Sequence, residues 1–298
     1  MQRRKLEELN LMDDFLFNAI LTHPETGEKF TQKILKLLFD CEFKNLKVSA
    51  QKVYAGMNTD LRGARLDVCI EGDCVDIEGS EIPSVYDVEP DQNNKAKDVT
   101  AFPRRSRFYH AIIDSRSLKS GEDFGKLKQV YVIFICNYDP FGYDRVLYTI
   151  KNRCLEEPEM DYDDGAETLV LYTGGTKGTI TEELRQFLNY MENTDQKNAV
   201  NEDLQDIQGM VDVVKRDGEV SLRYMKSFEH DQLMYEEGKE AGRELGRLAE
   251  MKNTELERKN TERERKIAEK ERLRADMAQS RIEELEAELR KYKEKSSA

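Results

Sequence analysis

The chain has 298 residues, of which 38% are hydrophobic and 36% are charged, and it contains no Trp. Its 60 acidic residues outnumber its 47 Lys and Arg residues, which gives a formal net charge of −13. This balance argues against nucleic-acid binding driven by overall charge, although a local basic groove or a bound cation can supply positive charge at one site.

The cysteines, the N-terminus and the apolar runs indicate the class of protein. The 5 cysteines form no CxxC pair, so neither a disulfide framework nor a zinc site is predicted. The N-terminal stretch MQRRKLEELN lacks the apolar core of a signal peptide, and the longest apolar run, VYVIFIC, is far too short to span a bilayer. We therefore expect a soluble, cytoplasmic protein.

The first part of the chain begins with helical patterns and continues with strand-like ones. Apolar periodicity predicts helices in residues 6–22 and 27–40. Two strand-like runs follow within residues 65–92, and each has an acidic residue among apolar ones, Asp67 in the first and Glu89 in the second. Turn-forming Gly, Ser and Pro residues separate the two runs.

The pattern from residue 103 onward completes an α/β arrangement. A helix is predicted in residues 103–115, where Pro103 suits the first helical position. Another helix is predicted at 180–193, with Thr181 as its N-cap. Apolar runs predict three further strands, at 128–138, 145–150 and 167–173. Helices that flank a mixed sheet make an α/β domain, to which we assign residues 1–229.

Residues 230–298 form a tail of different composition, rich in Glu, Lys and Arg. Gly238, Gly242 and Gly246 recur every fourth residue in a helical context, which indicates either a flexible connector or a smooth ridge for a close helix–helix contact. A heptad seam follows, formed by Ala275, Ala278, Ile282, Leu285, Leu289 and Tyr292. We predict a long charged helix that pairs as a homodimer near its C-terminal end, with a single solvated helix as the alternative.

Asp67 and Glu89 point to metal chemistry because acidic residues are disfavoured in strands. A carboxylate near a sheet is costly unless it is solvated, hydrogen-bonded or neutralised by a cation. Two carboxylates on one sheet would suit a hard cation such as Mg²⁺ or Mn²⁺. The alternative is a pair of exposed acids at the edge of a strand. Asp14 could add an outer carboxylate, or it could only favour the start of its helix.

A basic cluster follows the second acidic run. Arg104 and Arg107 are three residues apart and share one helix face, with Arg105 and Tyr109 on a neighbouring face. Arg104 and Arg107 are candidates for contact with phosphate groups, such as those of a nucleic acid, whereas a solvated helix edge or salt bridges to acidic residues of the α/β domain would be the alternative. The 3 histidines are scattered along the chain, so a His-based hydrolytic site is not predicted.

Several stretches in series resemble the PD-(D/E)XK nuclease superfamily, and within it the recombination-promoting nuclease (Rpn) family, whose members are also called transposases. The resemblance covers residues 10–250 and is carried by MDDFLFNAIL, GARLDV, YDVEPDQ, PRRSRFYHAIID, KLKQVYVIFICNYDPFG and EEGKEAGRELGR. It implies a restriction-endonuclease-like mixed sheet flanked by helices. It also implies divalent-metal-dependent cleavage of DNA, with roles in recombination, mobile elements or defence.

The resemblance assigns the site residue by residue. Asp67 and Glu89 correspond to the two motif acids, and the backbone carbonyl of Pro90 can also reach the metal. The lysine that completes the motif should stand at position 91, where this chain has Asp91, and a Gln that many members carry there is one residue further on, as Gln92.

The departure at position 91 leaves several expectations open. A migrated lysine, Lys95 or Lys97, could replace the missing one, or Asp91 could act as a third metal carboxylate. The leading hypothesis is a Mg²⁺-dependent or Mn²⁺-dependent DNA endonuclease with Asp67, Glu89, Asp91 and Gln92 as catalytic candidates. The alternative is a catalytically lapsed nuclease fold that binds DNA or protein through its coiled-coil tail.

Overall fold

The structure, a computed structural model, describes residues 4–54, 64–75 and 79–296, and the side chains of residues 50–54, 64–68, 231, 288 and 290–296 fall outside the described part. The chain divides into two units, Met1–Lys226 and Ser227–Ala298. The first unit contains a mixed sheet packed against helices, so the predicted α/β class is confirmed. The second unit is helical throughout its described residues.

The first unit contains five α-helices and six strands in its described residues. The helices are α1 (Asp14–Thr22), α2 (Gly27–Phe39), α3 (Ala96–Asp114), α4 (Glu182–Glu192) and α5 (Glu202–Arg216). The strands are β1 (Glu42–Tyr54), β2 (Ala64–Val75), β3 (Glu81–Asp91), β4 (Gln129–Cys136), β5 (Leu147–Ile150) and β6 (Ala166–Tyr172). Helix α6 (Gly218–Ser296) follows.

The sheet has the strand order β1-β2-β3-β4-β6-β5. Strands β1, β2 and β3 are antiparallel neighbours, β3, β4 and β6 run parallel, and β5 pairs with β6 in the antiparallel sense. The parallel part requires a crossover between β3 and β4, and α3 lies in that connection. The strands predicted around residues 65–92, 128–138, 145–150 and 167–173 are therefore confirmed, whereas β1 is an additional edge strand.

Side chains of β3 alternate between two hydrophobic cores. Tyr86 and Val88 face the larger core, which includes residues of α1, α2, α4 and α5. Val85 faces the smaller core together with Phe102 of α3. Because successive strand residues point to opposite sides, Glu89 and Asp91 share the α3 side of the sheet with Val85. This alternation brings the acidic end of β3 next to α3.

Helix α3 begins seven residues earlier than the sequence predicts, at Ala96 instead of Pro103. Pro103 lies inside the helix, where it cannot donate a backbone hydrogen bond. Its side chain is exposed, and the neighbouring Phe102 is buried in the smaller core, which anchors this part of the helix. Burial of Phe102 therefore outweighs the local cost of the proline.

The start of the chain is less helical than predicted. The interval 6–22 contains a single 3₁₀ turn at Leu6–Glu8 and then α1. Between them the backbone N–H of Leu11 donates to Thr194 Oγ1 at 2.8 Å, and the N–H of Asn10 donates to Asp13 Oδ2 at 2.8 Å. These tertiary and turn contacts take the place of helical hydrogen bonds.

The predicted Thr181 cap of α4 is confirmed, since the Thr181 side chain accepts a hydrogen bond from the backbone N–H of Leu184.

One disulfide joins Cys41 to Cys74, a pair that the cysteine spacing does not predict. The antiparallel pairing of β1 with β2 places Glu42 opposite Val75, which brings the two cysteines together with their Cα atoms 6.2 Å apart. Because the two cysteines lie 33 positions apart in the sequence, spacing alone could not reveal the pair. The long hairpin explains the contact.

The tail forms one helix, as predicted. Gly238, Gly242 and Gly246 are helical, and a Cβ atom added at any of them would meet open space within the described structure. Ile282, Leu285 and Leu289 are exposed along the helix. None of the described helices is sufficiently long and apolar to span a membrane.

Candidate metal and phosphate site

An acidic cleft lies where β3 ends and the chain passes into α3. It has a volume of about 440 Å³ and is lined by Asp13, Asp14, Glu89, Pro90, Asp91, Gln92, Asn93 and Arg105. Four consecutive residues, 89–92, end β3 and start the following loop, so their proximity is a direct consequence of the sequence. Asn93 lies in the same loop, and the other lining residues come from the start of α1 and from α3, which meet at this edge of the sheet.

Glu89 is the carboxylate that the sequence places in the second acidic strand. It pairs with Phe134 of β4 in the parallel ladder, and only 7% of its surface is exposed. Pro90, next in the strand, is buried as well. A carboxylate this deeply buried is costly to keep charged unless polar groups or a cation surround it. Glu89 is therefore well placed to take part in a cation site.

Asp67 lies in β2, the antiparallel neighbour of β3. The described pairing of these strands ends with Cys69 opposite Asp87. When that antiparallel register is extended by two residues, Asp67 comes opposite Glu89. The Asp67 side chain falls outside the described residues, so its convergence with Glu89 stays a prediction.

Asp91, at the expected lysine position, is held by three donors. Its carboxylate forms an ion pair with Arg105 and accepts a hydrogen bond from the Tyr138 hydroxyl at 3.0 Å and from the backbone N–H of Asn93 at 2.8 Å. Burial raises the pKa of Tyr138, and the nearby charge of Asp91 raises it further, so the hydroxyl remains a neutral donor. Only 6% of the Asp91 side chain is exposed. These contacts fix its orientation.

Arg105 reaches the cleft from the inner face of α3. Its Cζ atom lies 5.2 Å from the ring centre of Phe102 and 5.0 Å from that of Phe134, a distance typical of cation–π contact. Burial alone lowers the pKa of Arg105, but the charge and hydrogen bond of Asp91 outweigh it, so the pKa is raised above its ordinary value. The guanidinium is thus permanently charged and confined between two rings and a carboxylate.

Gln92 and the start of α1 form the opposite wall of the cleft. Gln92 Nε2 donates to the backbone carbonyl of Met12 at 2.5 Å, so its amide is engaged with the segment before α1. Asp13 forms an ion pair with Arg4, and Asp14 is the first residue of α1. Asp14 is a candidate outer carboxylate from the sequence, and the structure brings both Asp13 and Asp14 to the cleft.

The other basic candidates lie outside the lining of the cleft. Arg104 and Arg107 are exposed on α3, as are Lys97 in its first turn and Lys95 at its N-cap. None of the four belongs to the described lining residues. The arginines remain candidates for phosphate contact on the open surface beside the cleft. Arg105, predicted to lie on a neighbouring helix face, is the arginine that enters the cleft.

His110 is part of a separate polar contact between α3 and β6. Its Nε2 lies 3.0 Å from Thr168 Oγ1, which in turn lies 2.6 Å from Ser106 Oγ. Burial lowers the pKa of His110, so the neutral imidazole is favoured. His110 is not among the described residues that line the cleft, and its contacts join a helix to the sheet.

The donor set at the cleft fits a hard divalent cation. In the described part of the chain, no group of three or more His, Cys, Asp or Glu side chains is arranged to hold a metal. Mg²⁺, however, keeps several waters and needs only one or two protein carboxylates. Glu89 and the Pro90 carbonyl offer such oxygen atoms at the end of β3, and an extended β2–β3 register would add Asp67 as the second carboxylate.

Three participants were missed by reasoning from the sequence: Arg105 as a cleft residue, Tyr138 and Asp13. One signal was present for Arg105, because it follows the apolar Phe102 by three residues and so shares a helix face with it. Tyr138 follows β4, and only the parallel pairing of β3 with β4 brings it to Asp91.

Comparison with protein-family models, with curated proteins and with solved structures finds no match for this chain.

Proposed function

We propose that the protein is a divalent-metal-dependent DNA endonuclease of the recombination-promoting nuclease type, which hydrolyses phosphodiester bonds. The observation that carries the proposal is the position of Glu89, a carboxylate with 7% of its surface exposed, in a cleft with three Asp residues and one Arg. The restriction-endonuclease-like character of the fold is part of the same proposal, supported by a mixed sheet whose second and third strands carry the two motif acids.

The negative charge of the cleft makes a bound cation necessary for phosphodiester hydrolysis. Asp13, Asp14, Glu89 and Asp91 line the cleft against Arg105, so a phosphodiester would meet net negative charge there. Asp67, Glu89 and the carbonyl of Pro90 would hold Mg²⁺ or Mn²⁺. When bound, such a cation lowers the pKa of water and offsets the charge of the scissile phosphate. Metal dependence therefore follows from the composition of the cleft.

The residues of the chain contribute binding and orientation. Glu89 is oriented by the parallel ladder between β3 and β4, which is rigid compared with a loop. Arg104 and Arg107, exposed on the helix that leaves the cleft, would contact backbone phosphates on either side of the reacting one. Such contacts position DNA without reading its sequence.

A binding protein without catalytic activity is the second candidate. It is favoured by Asp91, which stands where the motif lysine is expected and whose two carboxylate oxygens are already engaged by Arg105, Tyr138 and Asn93. In this alternative the fold binds DNA or a protein partner, and the exposed apolar positions of α6 pair with a second copy. DNA binding without any turnover would distinguish it from the nuclease.

The direct test is cleavage of supercoiled plasmid DNA by the purified protein in Mg²⁺ and in EDTA. We expect nicked and linear products in Mg²⁺ and none in EDTA. The Asp67→Ala variant should cleave at least about a hundredfold more slowly in Mg²⁺, because it lacks a carboxylate that would bind the metal. Protein that cleaves equally well with EDTA, or an Asp67→Ala variant that matches the wild type, would contradict the proposal.

A further inference from the structure

The acidic cleft has a fixed cation, although the expected lysine is absent. Of the described residues that line the cleft, Arg105 alone is cationic. It comes from α3, fourteen residues after Asp91 in the chain, and their side chains form an ion pair across the cleft wall. About 30% of the Arg105 side chain remains exposed to solvent. The guanidinium is therefore partly accessible from the cleft.

The surroundings of Arg105 restrict its motion more than a surface ion pair would. Phe102 and Phe134 lie within cation–π distance of the guanidinium, and Asp91 accepts a hydrogen bond from its Nη2. Asp91 is in turn oriented by the Tyr138 hydroxyl and the N–H of Asn93. A chain of contacts thus leads from the loop after β4, through Asp91, to the guanidinium.

We propose that Arg105 is the residue of this cleft that contacts the scissile DNA phosphate, and that Asp91 is the positioning residue that holds it. The proposal rests on the proposed nuclease function and specifies how the cleft acts without a motif lysine. It assigns Asp91 no role as a third metal carboxylate, because both of its oxygens already accept hydrogen bonds within the protein.

A guanidinium suits this task chemically. It presents five N–H donors in a planar fork, and the described contact with Asp91 is made through Nη2. Arg105 Nε is buried and has no hydrogen-bond partner among the described residues, so the Nη atoms are the donors that would meet a phosphate. Planar donors match the oxygens of a phosphate and form charge-assisted hydrogen bonds to them. The raised pKa excludes Arg105 as a general base, so its action is electrostatic. Its ligand is the DNA backbone, independent of base sequence.

The pairing also predicts different effects for the two residues. Loss of Arg105 removes the phosphate contact, which should weaken both DNA binding and turnover. Loss of the Asp91 charge removes a carboxylate that repels the DNA phosphate, so DNA binding should become tighter. The same change frees the Arg105 guanidinium from its ion pair, so the guanidinium should be poorly oriented for the reaction. A merely structural ion pair would show the same loss of stability for both and no such divergence.

The test compares Arg105→Gln, Arg105→Lys and Asp91→Asn with Arg153→Gln, a control at an exposed arginine outside the cleft lining. Binding of a short fluorescein-labelled DNA duplex is measured by anisotropy in EDTA. We expect Arg105→Gln to weaken binding about tenfold, as for loss of one charge-assisted contact. The salt dependence should become shallower by about one unit of slope. Arg105→Lys should lose less, because it keeps the charge without the fork.

For Asp91→Asn we expect tighter binding in EDTA together with about tenfold lower kcat in Mg²⁺ and no rise in KM. Arg105→Gln with the affinity and salt slope of Arg153→Gln would overturn the assignment of Arg105. Weakened Mn²⁺ binding by Asp91→Asn would make Asp91 a metal ligand and overturn its positioning role. If the wild type binds the duplex through Arg105 but never cleaves it, the nuclease proposal fails while the phosphate contact stands.

Discussion

Replacing Glu89 by Gln is expected to abolish metal-dependent DNA cleavage and to leave the protein folded. The reason is that Gln keeps the size of the side chain but removes the charge that a divalent cation requires. We expect at least about a hundredfold loss of cleavage rate. Because several carboxylates line the same cleft, removing one relieves repulsion between them, and the melting temperature should stay within about 3 °C of the wild type.

The control for this substitution is Glu81→Gln in the same strand. Glu81 is exposed and pairs with Lys44 at the surface, a contact that contributes little stability. Cleavage rates and thermal melts of the three proteins should separate Glu89 from Glu81. Loss of cleavage accompanied by unfolding of Glu89→Gln would instead show that Glu89 has a structural role.

Removing the tail after residue 250 is expected to convert a homodimer into a monomer whose α/β unit remains folded. Ile282, Leu285 and Leu289 are exposed on α6, and complete burial of such side chains stabilises by roughly 1.5–3 kcal/mol each. In a parallel, in-register pair, Arg281 of one helix would also face Glu286 of the other across the seam. We propose this pairing because both the apolar stripe and the flanking charges favour a second copy.

Sedimentation of the full-length and shortened chains across a range of concentrations measures the effect. A sharper comparison uses Leu285→Lys, in the seam, and Met277→Lys, an exposed residue outside the heptad seam. The first should dissociate the dimer and the second should not. If the 298-residue chain is monomeric at all concentrations, the apolar stripe of α6 is only a solvated helix face. If the shortened chain remains dimeric, the dimer contact lies in the α/β unit.

Strong local patterns predicted much of the fold. The apolar runs of β4 and β6 and the Thr181 cap of α4 could be recognised because each depends on neighbouring residues. Strand β1 was not predicted, since lysines interrupt its apolar residues, as is common in edge strands. The start of α3 was misplaced because Pro103 is a strong local signal, whereas the burial of Phe102 is a tertiary effect.

The candidate site shows the same division between local and tertiary information. Glu89, Pro90, Asp91 and Gln92 are adjacent in sequence, and their presence in one cleft could be anticipated. Arg105 was not assigned to it, because its spacing from Phe102 indicates only a shared helix face, whereas the direction of its side chain depends on how α3 packs on the sheet. The disulfide between Cys41 and Cys74 similarly depends on the register of a long hairpin. Contacts between residues distant in the sequence therefore could not be predicted from local sequence patterns.

The proposed reaction depends on the claim that Asp67 and Glu89 bind one divalent cation together. Calorimetric titration of Mn²⁺ into the wild type, Asp67→Asn, Glu89→Gln and the double variant tests it most directly. We expect one Mn²⁺ site per chain in the wild type and an affinity about tenfold or more lower in each single variant. The double variant should bind Mn²⁺ little more weakly than either single variant, because the effects of two residues that share a ligand are not additive. A wild type without saturable binding, or single variants that bind Mn²⁺ as the wild type does, would contradict it.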